Sequence, residues 1–281
     1  MPPSNLIGVL FALFSAALWG GADFSGGFAS RRMRPFQVLV ISSILGTAAL
    51  LVFALLLREN LFVPRQWFWG TLAGAAGLLG LAALYHGLAH GQAAVVSPIA
   101  GVIGASLPVI FTALTQGWPS SMQLLGFLLA IGGIWLAART AGGSIQSLRQ
   151  GLWMAFLAGS GFGIFFVAIA QAGSEAVFTP LAIAKLASLI LAGLVVWRSG
   201  QTMPSLTSNR AALLAGILDA GANACYMLAT RFTRLDVAVV LSSLYPASTV
   251  LLARGISAER ITPWQWLGVG MCVSAIGFIV S

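Results

Sequence analysis

The chain has 281 residues, of which 59% are hydrophobic and only 7% charged, against roughly 25% charged in an average soluble domain. That leaves too little polar surface to cover a water-soluble core, and the composition calls for a bilayer as solvent. The net charge of +8 comes from arginines that flank apolar stretches, which reads as topology and headgroup contact rather than nucleic-acid binding.

A spanning helix needs about 20 apolar residues. Ten stretches qualify, near 5–28, 35–57, 67–89, 93–115, 121–138, 151–172, 176–197, 210–231, 236–254 and 264–280. Barrel strands would alternate polar and apolar residues over about ten positions. These runs are twice that long and do not alternate, so helices are expected, each bonding its own backbone within lipid. Met1 to Asn5 carry no Lys or Arg, so the first span lacks a signal-peptide n-region and is expected to be retained.

Span 1 carries Trp19-Gly20-Gly21-Ala22-Asp23 and runs into Arg31, Arg32 and Arg34. Asp23 reads either as a substrate or proton site or as a partner of those arginines at a wet helix end. Span 2 is featureless, and Trp67 and Trp69 mark an interface where the chain re-enters as span 3. Span 3 holds Tyr85, His86 and His90. Histidines four apart share a helix face, which suits a pore-facing proton or substrate role or a polar helix end better than a metal site, since no Cys, Asp or Glu lies nearby. Span 4, with Pro98, Gly101, Gly104 and Pro108, is expected to kink. Gly126 and Gly133 in span 5, and Gly270 and Gly277 in span 10, suit close packing within a half, or a dimer face.

A polar stretch, Arg139 to Gln150, separates two halves that resemble each other. At an offset of 143, Gly8 meets Gly151, Ala12 meets Ala155, Trp19-Gly20 meets Phe162-Gly163 and Ala29 meets Ala172. At 142, Gln123, Leu125 and Gly126 meet Gln265, Leu267 and Gly268. The shared order argues for an internal repeat, with a first unit over 1–138, a linker over 139–150 and a second unit over 151–281.

The halves differ in their polar residues. Span 6 has Phe166 where span 1 has Asp23. Span 7 places Lys185, and span 8 Asp219, near the helix centre, where a charge costs about 2.5–3.5 kcal/mol to insert. They read as a structural ion pair, or Asp219 serves the function, with Asn223 and Tyr226 extending its polar stripe at i+4 and i+7. Span 9 carries Ser242, Ser243, Tyr245 and Pro246, and a turn with Glu259 to Pro263 leads to Trp264 and Trp266 at the interface. Cys225 and Cys272, both inside apolar stretches, read as buried thiols.

Four features resemble the drug/metabolite transporter superfamily, in its ten-helix form built of two EamA-type repeats. They are Trp19-Gly20, the run Ser243-Leu-Tyr-Pro246 followed by Ala-Ser-Thr-Val, the turn Glu259-Arg-Ile-Thr-Pro-Trp-Gln265, and the small-residue last helix. Lys185 also falls where members often carry a cation. The first half departs from the pattern, with Gly117-Trp-Pro-Ser-Ser121 at the place of the Glu-Arg turn, and Phe162 replaces the second Trp.

The resemblance implies an all-α integral membrane protein, ten transmembrane helices in two inverted five-helix repeats, resident in the cell membrane (the inner membrane in a bacterium). It implies a carrier rather than an enzyme, without cofactor, exporting or exchanging amino acids, amines or drug-like compounds by alternating access. The central cavity would be lined by spans 1, 3, 4, 6, 8 and 9, and both termini would be cytoplasmic. The arginines point the other way, nine on the loops opposite the termini against four on the near side. The expected substrate contacts are Trp19, Asp23, Tyr85, His86, Phe162, Asp219, Asn223, Tyr226 and Tyr245. Asp219 would take an ammonium or a proton, and protons are the candidate coupling ion. A monomer is expected before a dimer, and no nucleic-acid partner.

Two rival classes remain on the sequence. Gly104-Ala105-Ser106-Leu107 resembles the setting of an intramembrane serine hydrolase, with His86 or His90 as base. A channel would call for rings of like charge or a carbonyl filter, and the sequence has neither.

Overall fold

The computed structural model describes residues 3–89, 93–137, 145–203, 205–245, 248 and 262–280. Among them the helices are α1 (Pro3–Ser30), α2 (Pro35–Leu56), α3 (Pro64–Ala89), α4 (Ala93–Gln116), α5 (Ser121–Ala137), α6 (Ile145–Gln171), α7 (Phe178–Arg198), α8 (Arg210–Phe232), α9 (Leu235–Ser242) and α10 (Pro263–Val280). A single 3-10 turn, Leu206–Ser208, precedes α8. No strand occurs among the described residues. Among the described residues six helices, α1 to α3 and α6 to α8, are long and apolar enough to cross a bilayer. At 1.5 Å per residue the 22 residues of α2 measure about 33 Å, close to a hydrocarbon thickness of about 30 Å. Of the other expected spans, α4 and α5 hold shorter apolar stretches, Ala100–Gln116 and Ser121–Leu136. The first six residues of α6 fall inside the stretch expected to be a linker. His90, Arg139, Pro246, Arg254 and Glu259 to Ile261 lie outside the described residues.

The helix starts are written in local chemistry. Proline opens α2, α3 and α10, where its missing N–H costs nothing. Before α5 the Ser120 hydroxyl accepts from the Gln123 N–H and the Gln123 amide oxygen accepts from the Ser120 N–H, both at 3.1 Å, a reciprocal cap. The Asn209 side chain accepts from Ala211 and Ala212 at the start of α8. Gly173 and Gly200 follow the ends of α6 and α7 with φ of +104° and +64°, a backbone region open to glycine.

The N-terminus of α7 has no cap of its own. Its free N–H groups are taken by Glu59, which follows the left-handed Arg58 (φ 55°) in the α2–α3 loop. The Glu59 carboxylate accepts from Val177 at 2.8 Å, from Phe178 at 3.0 and 3.2 Å and from Thr179 at 2.7 Å. A carboxylate there satisfies orphan donors and meets the positive end of the helix dipole. At the other end of the bundle the corresponding loop, α7–α8, meets the start of α2 where the Gln37 amide donates to the Thr202 carbonyl at 2.9 Å, and meets α1 where Asn209 donates to the Ala29 carbonyl at 3.5 Å.

Packing between the halves follows a reciprocal pattern. α1 lies on α8 and α3 on α6; α2 lies on both α7 and α8, as α7 lies on both α2 and α3; α4 meets α6 as α1 meets α9; and α5 lies along α10. Small residues let these backbones approach. A Cβ on Gly74 would fall on the Ala184 carbonyl, and one on Gly216 on the Ser42 carbonyl. An offset of 142 carries Gly74 to Gly216 and Ser42 to Ala184, so one contact is made twice. Gly132 on α5 faces Met271 on α10. α5 and α10 thus pack on each other across the halves, and a Cβ on Gly270 would meet open space.

The outer faces are apolar, with Leu6, Leu10 and Phe14 on α1 and Ile190 and Leu194 on α7 exposed. Trp67, Trp197, Trp264 and Trp266 are exposed at helix ends, as an aromatic belt requires. Trp69, expected beside Trp67 at the interface, instead packs against the core.

Candidate functional site

The helix faces that approach one another leave a cavity near the middle of the bundle. It comprises about 670 Å³ of atom-free space, part of it open to the outside. α1 contributes Trp19 and Asp23, α3 contributes Gly77 and Leu81, and α6 contributes Phe162, Phe165 and Phe166. α7 contributes Leu181, Lys185 and Ser188, α8 contributes Asp219 and Asn223, and Tyr245 closes the wall beyond α9. Leu50 of α2 also reaches it, while no described side chain of α4 lines it. Helices 2 and 7 thus take part where helix 4 was expected.

Asp219 is the most connected polar group. One carboxylate oxygen pairs with the Lys185 ammonium, and the other accepts from the Trp19 indole N–H at 3.2 Å. Both charged side chains are about seven-eighths covered, at 12% and 13% exposure, so the pair is largely desolvated and each charge needs the other. The Lys185–Asp219 pair, one of the readings open on the sequence, is therefore formed, and Asp219 lines the cavity as well. The Asn223 amide N–H donates to the Asp219 carbonyl at 2.6 Å, one turn back.

Asp23 differs. It lines the same cavity, and no described residue donates a hydrogen bond or lends a cation to its carboxylate. The arginines after α1, offered as alternative partners from the sequence, do not pair with it. Ser188, which also faces the cavity, donates to the Gly74 carbonyl at 2.8 Å and ties α7 to α3.

Six of the nine expected contacts line the cavity: Trp19, Asp23, Phe162, Asp219, Asn223 and Tyr245. The other three stand behind it. Tyr226 is fully buried, donates to the Phe166 carbonyl at 3.2 Å and packs on Phe166 and Trp19 with ring centroids 5.0 and 5.9 Å away. It fixes the aromatic wall without facing the cavity. Tyr85 is buried against Gly26, where a Cβ would overlap its ring. His86 is half-buried farther along α3. Ser106, the nucleophile of the hydrolase alternative, donates to the Val102 carbonyl at 2.7 Å, the ordinary back-bond of a helical serine, and is no part of the cavity wall.

Sequence reasoning left Lys185 and Phe165 out of the site. Lys185 carried a signal, a cation at the centre of an apolar span, but only its partner on another helix shows that it faces inward. Phe165 is one apolar residue among many and carried none. The polar half of the cavity has no counterpart under the repeat: Asp23 corresponds to Phe166, and Asp219 and Asn223 to Gly77 and Leu81.

Comparison with known proteins follows from this arrangement. A model described as the EamA-like transporter family matches twice, over residues 6–139 and 149–281. No curated protein matches the chain. A solved crystal structure superposes with a TM-score of 0.76 at 19% identity, covering 96% of this chain and 95% of that one, a likeness of fold.

Proposed function

The chain belongs to the EamA-like transporter family, and we propose that it is a secondary carrier that moves one small metabolite by alternating access to the central cavity. Family membership makes it a multi-pass integral membrane transporter of small molecules. The finer reading rests above all on the cavity, a partly open space among the spans whose wall combines two carboxylates, an ammonium and five aromatic rings. Charges are expensive in a membrane interior, and such a cluster marks a substrate or ion path.

In this reading the two halves, 1–138 and 151–281, are inverted five-helix repeats that rock about the cavity. Trp19 and Phe162, at corresponding positions in the repeats, hold the apolar part of the substrate together with Phe165 and Phe166. The Lys185–Asp219 pair holds α7 to α8 on one side of the site, and the Trp19 N–H joins α1 to the same carboxylate. Tyr226 keeps the ring stack in place from behind. The mixed polar and aromatic wall suits amino acids, amines or drug-like compounds, exported or exchanged.

The test is uptake into proteoliposomes offered labelled amines, amino acids and sugars, beside a Leu81→Trp variant that fills the cavity from α3. Saturable uptake of one class, reduced at least tenfold in the folded variant, supports the reading. Equal uptake in the filled variant places the route elsewhere and overturns it.

A further inference from the structure

A second recess lies at the N-terminal end of the bundle, between the ends of α4, α6 and α8 and the start of α9. It comprises about 600 Å³ of atom-free space, part of it open to the outside. Its wall is polar, with Gln116, Gln171, Ser174, Thr230, Arg231 and Arg234.

The recess is in line with the central cavity. α6 and α8 touch only sparsely, which leaves a seam between them. Along α6, Phe162 and Phe166 line the cavity and Ala170, one turn on, lines the recess. Along α8, Asp219 and Asn223 line the cavity, and Met227 and Arg231 continue the same row into the recess, each four residues after the last. At 1.5 Å per residue Arg231 stands about 12 Å beyond Asn223 along the helix. The two spaces are parted at the level of Phe166 and Met227, both buried, where Tyr226 donates to the Phe166 carbonyl at 3.2 Å.

The charge on the recess is one-sided. No described carboxylate lines it, and Glu175, next to Ser174, is exposed off the wall. Arg234 is already engaged. Its Nε and one terminal nitrogen donate to the buried Asp236 carboxylate at 3.2 and 3.0 Å, and that terminal nitrogen also donates to the Gly117 carbonyl at 2.9 Å. Arg231 has no hydrogen bond or ion pair with a described residue, and neither have the side chains of Gln116, Gln171 and Ser174. The Arg65 guanidinium, which donates to the Gln171 carbonyl at 2.7 Å, adds positive charge beside them. A guanidinium stays protonated in a protein, so this charge does not depend on its surroundings.

Unengaged donors around a fixed positive charge suit an oxygen anion. A guanidinium presents parallel N–H groups to two oxygens of a carboxylate or phosphate, and neighbouring amides and a hydroxyl can meet the remaining lone pairs. The end of α8 by itself would ask only for a positive charge in its last turn, which lysine supplies as well. The fork separates the two roles.

We propose that the recess is an outer binding site for a carboxylate or phosphate group, anchored by Arg231, at the N-terminal end of the seam that leads to the central cavity. The site goes beyond the carrier reading and does not need it, since anion binding is measured without transport.

The probes are inorganic phosphate and benzoate, with choline as the cationic control, all at one ionic strength set with sodium chloride. Ser174→Cys, in a background with Cys225 and Cys272 changed to Ser, puts a thiol on the recess wall. In phosphatidylcholine vesicles an uncharged, membrane-impermeant maleimide is added from the N-terminal side. Saturating phosphate or benzoate should slow labelling by about fivefold or more, and choline should not change it. Arg231→Gln should remove the protection. Arg231→Lys keeps a charge at the helix end without the fork, so it should unfold thermally like the parent and need about tenfold more anion for the same protection. Vesicles containing phosphatidylglycerol separate the sources of the anion. Slow labelling before any probe is added, relieved by Arg231→Gln, assigns the site to a lipid headgroup, and labelling as in phosphatidylcholine assigns it to a soluble anion.

Labelling that neither anion slows, protection that survives in Arg231→Gln, or equal protection by choline would overturn the site and leave the carrier reading to its own uptake test.

Discussion

Asp219 and Lys185 show how much a single partner decides. Each was legible in the sequence as a charge in an apolar span, and neither alone revealed which way it faced. Together they form a pair that one substitution should break expensively. Lys185→Met leaves a carboxylate at 13% exposure with only the Trp19 N–H as partner, a loss expected to cost about 3–5 kcal/mol. Removing both charges, as Lys185→Met with Asp219→Leu, leaves no orphan and should return stability to within about 2 kcal/mol of the parent. Thermal unfolding in detergent of the parent, the two single variants and the double variant measures the coupling. Additive effects of the single changes would show that the pair does not act as a unit. Asp23 should behave otherwise: nothing described pairs with it, so Asp23→Asn should leave unfolding unchanged or raise its temperature.

At the scale of the helix, the membrane itself made the fold readable. Lipid demands about 20 apolar residues per span, and the predicted ranges fall within a few residues of α1 to α8 and α10. The helix starts were also partly legible, because Pro35, Pro64, Ser120 and Asn209 act on their own neighbours. The cap of α7 was not, because Glu59 lies 118 residues before the N–H it accepts from at Val177. The cavity was half legible for a related reason: polar residues stand out in apolar spans, whereas the membership of Phe165 and Leu50 depends on which faces of different helices meet. Gly74 and Gly216 carry that meeting. Each lies where a side chain would strike the backbone of a facing helix, so Gly74→Val and Gly216→Val should each prevent close packing and abolish the folded, monodisperse peak in size-exclusion chromatography. Gly77→Ala, whose added carbon would meet only the Phe165 ring at 3.2 Å, should fold. If Gly216→Val folds while Gly74→Val does not, the repeated contact is not equally important in the two halves.

For the whole molecule, the repeat makes the two ends comparable, and they are not equal. At the end that carries the N-terminus, Glu59 grips three backbone N–H groups at the start of α7, and the Arg65 guanidinium donates to the Gln171 carbonyl at 2.7 Å. At the far end the corresponding loop carries neutral amide bonds among its described contacts, from Gln37 to the Thr202 carbonyl at 2.9 Å and from Asn209 to the Ala29 carbonyl at 3.5 Å. Under the proposed alternating access each end loosens in turn, and charge-assisted bonds at a helix terminus are stronger than neutral amide bonds. The N-terminal end should therefore be the harder to open, and Glu59→Gln should ease it. Water replaces part of what is lost, so the expected shift is about 1–2 kcal/mol, a factor of about 5–30 in the open population. Leu181→Cys, on the cavity wall of α7, reports it in a background with Cys225 and Cys272 changed to Ser. A membrane-impermeant maleimide added from the N-terminal side should label this cysteine about 5–30 times faster when Glu59→Gln is present, with slower labelling from the opposite side. Gln37→Ala should produce the smaller, opposite change. Equal acceleration from both sides would mean that Glu59 supports the bundle as a whole, and no acceleration would mean that α7 does not leave its cap when the cavity opens.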